Sequence, residues 1–165
     1  MKIILTTKEE KKGVRVRFNP ELPETRFTVE GKQQYLDIKT KKRDELTRRE
    51  WLILVRRIIR VAKTHKIATL SIDWVMLTGF DALTKEGAET LGRLLAENML
   101  LASYEFRRYK EKSKEGFGDI KEVVLQVSAK DLSSIKKGVV KGQVVAKWAN
   151  FCRDLANTPG NDMTP

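Results

Sequence analysis

The sequence predicts an α/β fold in which helices flank both faces of a mixed, largely parallel sheet. The first observation behind this prediction is the second half of the chain, where the periodicity alternates as helix, strand, helix, strand, helix. Parallel strands joined by right-handed helical crossovers produce that alternation. The second observation is a set of short N-terminal strands with a hairpin, which extends the sheet and makes it mixed. A length of 165 residues corresponds to one such domain.

The N-terminal region is rich in strand signals. Residues 2–7 are apolar and β-branched, and residues 14–18 alternate apolar with basic side chains, which is typical of a half-buried strand. Residues 26–29 and 34–38 flank Glu30, Gly31 and Lys32. We therefore predict a β-hairpin around this turn.

A helix is predicted from Thr47 onwards. Thr47 and Glu50 form a capping box, in which each side chain accepts a hydrogen bond from a backbone N–H at the start of the helix. Apolar residues recur behind this cap at helical spacing. On the opposite side lie four cations, which we call the basic stripe: Arg49, Arg56, Arg60 and Lys63.

Strands at residues 67–72 and 123–127 enclose a loop at residues 76–82 and a long helix at residues 85–110. The cations Arg107, Arg108 and Lys110 are predicted to lie in the last turns of that helix, where the macrodipole favours them.

The final helical region contains Gly138 and Gly142, so we predict a short helix followed by a longer one. Cys152 lies on the apolar face of the longer helix and is predicted to be a buried structural thiol. The sequence Asn-Thr-Pro-Gly at residues 157–160 ends the helix, because proline lacks the donor N–H and clashes with the preceding turn.

The chain is unusually basic, with a net charge of +11 and a pI near 9.8. Residues 39–66 hold eleven basic and three acidic residues, a net charge of +8. Three interpretations remain open: a solvated helix face, contact with nucleic acid or another polyanion, and complementarity to an acidic partner surface.

Several functional classes find no support in the composition. His65 is the single histidine, and no sequence signature offers it the nucleophile and the orienting partner that a catalytic base needs. His65 and the distant Cys152, the single cysteine, do not supply the three or four ligands of a zinc site. One cysteine also excludes an internal disulfide and fits a reducing compartment. Since no apolar run approaches the roughly 20 residues of a membrane span, we expect no membrane association and a cytoplasmic location.

Two phrases carry a family resemblance. Residues 103–110 match Ser-Tyr-x-Phe-x-x-Tyr-Lys, and residues 153–165 match Arg-Asp-Leu-x-Asn-x-Pro-x-Asn-x-x-x-Pro. Both phrases, in this order, resemble the leucine aminopeptidase family, also called the cytosol aminopeptidases. In that family the second phrase lies at the junction between an N-terminal domain and the catalytic domain. The resemblance covers roughly residues 50–165.

The resemblance implies a macro-domain-like N-terminal domain at residues 1–149 and a linker at residues 150–165 that leads to a C-terminal catalytic domain. The linker residues it singles out are Arg153, Asp154, Asn157, Pro159, Asn161 and Pro165. It also implies a homo-hexamer in the full protein and two divalent metal ions, zinc or manganese, held by the catalytic domain. The family's Asn-Thr-Asp-Ala-Glu-Gly-Arg active-site phrase does not occur among these 165 residues, so we assign no catalytic residue, metal ligand or cofactor to this chain.

A second hypothesis belongs to another class of protein. The chain would be a free-standing basic module that binds nucleic acid through the basic stripe, because some relatives use their N-terminal domain for DNA contact. Salt-dependent binding to duplex DNA distinguishes this hypothesis from a solvated face.

Overall fold

The computed structural model describes residues 1–9, 12–111 and 118–163, which form one six-stranded sheet and four α-helices. The strands lie in the order β1-β6-β5-β2-β4-β3. Their bounds are β1 Lys2–Thr6, β2 Val14–Asn19, β3 Arg26–Glu30, β4 Gln33–Lys39, β5 Thr69–Asp73 and β6 Glu122–Gln126. Every neighbouring pair is parallel except β3 and β4, which form the predicted hairpin. The predicted mixed, largely parallel sheet is confirmed.

Four helices follow or connect these strands. They are α1 Arg48–Thr64, α2 Trp74–Thr78, α3 Ala88–Ser103 and α4 Leu132–Asn157. The predicted capping box of α1 is present, since Thr47 Oγ1 accepts from Glu50 N at 3.3 Å and Thr47 N donates to Glu50 Oε2 at 2.9 Å. None of the described helices is both long and apolar enough to span a membrane.

The helices bury their side chains in one core with the apolar side chains on a single face of the sheet, and α1 packs against α3 and α3 against α4. In the described ranges the helices therefore cover one face of the sheet, which corrects the prediction that they flank both faces. The core lies between them and the apolar side chains of β2, β4, β5 and β6. Trp51 of α1 is fully buried there and donates through Nε1 to the carbonyl oxygen of Leu77 at 2.8 Å. This hydrogen bond ties α1 to α2, which begins directly after β5.

The opposite face of the sheet carries polar residues that satisfy one another. Arg17 Nε donates to Asp37 Oδ1 at 2.7 Å, Thr28 Oγ1 donates to Asp37 Oδ2 at 2.6 Å, and the Arg17 guanidinium lies 3.7 Å from the ring centre of Tyr35. Burial opposes ionisation of Asp37, but the hydrogen bonds from Arg17 and Thr28 outweigh it and lower its pKa. The alternation of valine and arginine along β2 therefore separates a core face from a polar face.

Three predictions about the extent of individual helices also need correction. The predicted helix at residues 85–110 is shorter, because Gly87 caps it and Tyr104 turns to an extended conformation with ψ of 138°. Arg107, Arg108 and Lys110 thus lie beyond α3 and do not complement its dipole. The predicted loop at residues 76–82 contains the end of α2 and a 3-10 turn at Asp81–Leu83.

The third correction concerns α4, which is one continuous helix of 26 residues and not two. Gly138 and Gly142 do not interrupt this helix. Their lack of a side chain lets the backbone of α4 pack directly against that of α3. A Cβ at Gly138 would lie 2.0 Å from the carbonyl oxygen of Glu89, and one at Gly142 would lie 2.3 Å from that of Arg93. These glycines serve helix packing, which outweighs their low helix propensity.

Candidate functional site at the end of α4

The last turns of α4 leave the body of the domain. Ala146 is the last buried residue of the helix, and all of residues 151–157 are exposed. Asn157 is the final helical residue, and Thr158 turns to an extended conformation before a 3-10 turn at Gly160–Asp162. The helix therefore needs other contacts to fix the direction in which the chain leaves it.

Those contacts come from the segment that follows α3. Tyr104 donates through its hydroxyl to Asp154 Oδ1 at 2.9 Å, and Tyr109 donates through its hydroxyl to Asp162 Oδ2. Arg153 Nη1 donates to the carbonyl oxygen of Leu101 at 3.1 Å. We call this set of contacts the junction.

The electrostatics of the junction match its hydrogen bonds. Partial burial and the hydrogen bond to Asp154 raise the pKa of Tyr104, and the hydrogen bond to Asp162 raises the pKa of Tyr109. Both phenols are therefore protonated donors at neutral pH. The guanidinium of Arg153 also lies 5.3 Å from the ring centre of Tyr104, within range of a cation–π contact.

Next to the phenols lies a compact ion-pair cluster around Glu105. Its carboxylate accepts from Arg107 Nη2 at 3.0 Å, Lys63 Nζ at 3.2 Å and Lys110 Nζ at 3.3 Å. Arg107 contributes most to lowering the pKa of Glu105 to about 2. Arg107 also binds Asp119 at 2.8 Å, so the cluster joins the end of α1 to the segment after α3 and to the residues just before β6.

The structure therefore brings the two sequence phrases into contact. Arg153 and Asp154 lie in the last turns of α4, Asn157 ends it, and Pro159 and Asn161 belong to the turn that follows. Pro165 lies outside the described residues. The contacting tyrosines come from the first phrase, so a spacing of some fifty residues in sequence becomes one site in space.

The basic stripe is only partly available for a ligand. Arg56 Nε donates to Asn98 Oδ1 at 2.7 Å, and Lys63 is held by Glu105. Arg49 and Arg60 are exposed, and within the described ranges their side chains have no hydrogen bond or ion pair. Two of the four cations thus face solvent freely.

The single histidine and the single cysteine have no catalytic partners among the described residues. His65 caps the C-terminus of α1 and stacks on Phe27 at 5.8 Å between ring centres. Cys152 is exposed, so the predicted buried thiol is wrong. Its face of α4 is apolar, but α3 packs against the other face. In the part of the chain that the structure describes, no three His, Cys, Asp or Glu side chains group to hold a metal ion.

Comparison with known protein sequences tests the resemblance that the two phrases predict. A probable cytosol aminopeptidase of Roseiflexus castenholzii is 31% identical over 110 residues, which are 66% of this chain and 22% of that protein. A probable cytosol aminopeptidase of Bacillus subtilis is 43% identical over 70 residues, 42% of this chain and 14% of that protein. The chain resembles the cytosol aminopeptidases. The resemblance predicted from the two phrases is thereby confirmed, and the chain spans about a fifth of the length of the first of these relatives.

Solved structures agree on the fold. The bottromycin maturation enzyme BotP has a TM-score of 0.65 at 18% identity, covering 93% of this chain and 34% of that one. A mutant of tomato leucine aminopeptidase has a TM-score of 0.65 at 16% identity, covering 88% of this chain and 28% of that one. A further BotP structure is a complex with manganese. No protein-family model matches the chain.

Proposed function

We propose that the chain is the non-catalytic N-terminal domain of a metal-dependent leucyl aminopeptidase. The observation that carries the proposal is its similarity to cytosol aminopeptidases of which the matched residues are only about a fifth. The junction supports it, because the phrase expected at a domain boundary ends a projecting helix whose direction is fixed by hydrogen bonds. The whole protein would remove N-terminal residues from peptides in the cytoplasm.

In this proposal the N-terminal domain, the linker and the catalytic domain of the polypeptide have different roles. Residues 1–149 form the domain and residues 150–165 the linker, although α4 runs through residue 149 without a break. The described residues offer no carboxylate cluster suited to two bridged metal ions. As the family resemblance implies, the catalytic domain would hold the zinc or manganese ions, and the N-terminal domain would contribute to the shape and assembly of a hexamer.

The test compares two proteins in one assay. The 165-residue chain and the product of its complete reading frame are incubated with a chromogenic leucine anilide and added zinc or manganese. We expect turnover from the longer protein only. Turnover by the 165-residue chain that survives further purification would contradict the proposed non-catalytic role, and an inactive longer protein would contradict the aminopeptidase assignment.

A second function, binding of duplex DNA, is favoured by the exposed guanidinium groups of Arg49 and Arg60 beside Arg56. The slope of log K against log salt should flatten by about one unit for each phosphate that the protein no longer neutralises. Replacement of Arg49, Arg56 and Arg60 by Gln is the test variant, followed by fluorescence anisotropy on duplex DNA at several salt concentrations. Lys136→Gln with Lys137→Gln is the control. If the three arginine changes alter neither affinity nor slope, the basic stripe is a solvated face.

A further inference from the structure

Helix α4 carries a second apolar face that nothing in the described structure covers. Its members are 44–58% exposed although each is a large apolar side chain. We call them the outer face: Val140, Val144, Val145, Trp148, Phe151 and Leu155. The exposed Cys152 lies among them.

The outer face points away from the core. At 100° per residue its members cluster on one side of the helix, whereas Ile135, Val139 and Ala146 face α3 on the other. A helix at the surface of a globular protein normally has one apolar stripe, and a helix that is apolar on opposite sides is enclosed between two layers. The sequence of α4 is thus that of an enclosed helix.

The aromatic part of the outer face is already arranged as a contact surface. Trp148 and Phe151 stand edge to face, with ring centres 5.8 Å apart and planes at 89°. Exposed clusters that combine Trp and Phe with aliphatic residues are typical of protein–protein contact surfaces. The junction holds this end of α4 through Asp154, so the surface is presented in a fixed direction.

The charge around the outer face indicates what covers it. Helix α4 has five basic residues and one acidic residue, and Lys137, Lys141 and Lys147 border the apolar side chains. Glu89 pairs with Lys141, but Lys137 and Lys147 form no salt bridge among the described residues. Two copies of α4 packed on each other would bring Lys137 and Lys147 of both copies together. The complementary surface must instead be apolar with an acidic rim.

We propose that the outer face of α4 is the docking surface for the catalytic domain of the same polypeptide, which meets it with an apolar patch rimmed by Asp and Glu. This inference rests on the proposed function, and the length of the relatives supports it, since about four-fifths of the first of them lies outside the match. The α4 helix is then an interior element of the whole protein, packed between two domains.

The reactivity of Cys152 provides a direct test of whether the outer face is covered in the longer protein. The wild-type 165-residue chain and the wild-type product of the complete reading frame are treated with a maleimide, and modification of the peptide that contains Cys152 is followed by mass spectrometry. We expect Cys152 to react at least about tenfold more slowly in the longer protein, because reaction then requires local opening of the interface.

Variants show whether the outer face is responsible for this protection. In the longer protein, Trp148→Glu should restore the labelling rate of the 165-residue chain, because it places a charge in the apolar contact. Val29→Glu is the matched control, since Val29 is 60% exposed on β3, and it should leave the protection of Cys152 unchanged. If Trp148→Glu does not fold, the wild-type comparison still decides the matter.

The outcomes separate this inference from the proposed function. Equal labelling of Cys152 in both proteins, with an active aminopeptidase, overturns the docking surface and leaves the function intact. Protection of Cys152 in a longer protein that lacks aminopeptidase activity supports the docking surface and overturns the function. Concentration-dependent protection in the 165-residue chain, together with a dimer in sedimentation, shows that a second copy covers the face and overturns the proposal, as does a reading frame that ends at Pro165.

Discussion

Alanine at Gly138 or Gly142 should destabilise the protein, which is the reverse of the usual effect of Gly→Ala inside a helix. At these positions α4 meets α3 backbone to backbone, with an added Cβ 2.0 Å from the Glu89 carbonyl oxygen and 2.3 Å from that of Arg93. Neither obstacle is the end of a flexible side chain. The two helices must therefore move apart to accept the methyl group.

The magnitude follows from two opposing contributions. In an unobstructed helix the alanine would stabilise by about 1 kcal/mol. Here the helices must separate by roughly 1 Å, and such a gap forfeits about a quarter to a half of the dispersion energy of each contact that it opens. Overpacking costs about 1–3 kcal/mol in typical cores, and backbone overlap places these sites at or above the upper limit. We expect a net loss of about 2 kcal/mol for each substitution.

Urea denaturation followed by far-ultraviolet circular dichroism measures this loss. The free energy of unfolding should fall by about 2 kcal/mol with an unchanged m-value. Gly160→Ala is the control, because nothing lies within 4 Å of its Cβ position, and it should change stability by less than about 0.5 kcal/mol. If Gly138→Ala or Gly142→Ala is as stable as the wild type, the close approach of α3 and α4 is refuted.

Three further predictions concern side chains. Trp51→Phe should destabilise by about 1–3 kcal/mol, because it leaves the buried carbonyl of Leu77 without its donor, and chemical denaturation checks this loss. Glu105 has a pKa of about 2 in the folded protein against an ordinary 4.5, with Arg107 as the main cause, so its contribution to stability is complete above pH 4.5 and disappears as the pH falls towards 2. Glu105→Gln should therefore flatten the fall of Tm over that range, and an unchanged profile would contradict the ion-pair cluster. Tyr104→Phe should leave global unfolding nearly unchanged but speed amide exchange in the last turns of α4, and equal exchange would argue against the junction.

Much of the fold could be predicted from the sequence because the strands have simple periodicities. The alternation along β2 separates core from polar residues, and the run at residues 123–125 is buried throughout, as expected for a central parallel strand. The capping box at Thr47 identified the start of α1 for an equally local reason. Local signals suffice wherever the determining contacts are close in sequence.

The errors arose where distant contacts decide the structure. Gly138 is unfavourable in a helix by propensity, and only the backbone of α3 explains its presence there. Cys152 lies on an apolar face, but periodicity cannot say which of two apolar faces packs against the domain. Phe106 and Tyr109 continue the helical spacing of α3, yet the backbone is already extended at Tyr104, whose hydroxyl bonds to Asp154 fifty residues later.

The junction gives the two sequence phrases a common physical role. A helix that projects beyond its last buried residue, Ala146, gains no direction from the core of the domain. Tyr104 and Tyr109 supply that direction by holding Asp154 and Asp162, one on the helix and one beyond its end. Both hydrogen bonds join the same two chain segments, so removal of both should leave the end of α4 held by Asn150 and Arg153 at the carbonyl oxygens of Leu100 and Leu101. The two phrases thus supply the two sides of one contact, and in the proposed function this contact would orient the catalytic domain.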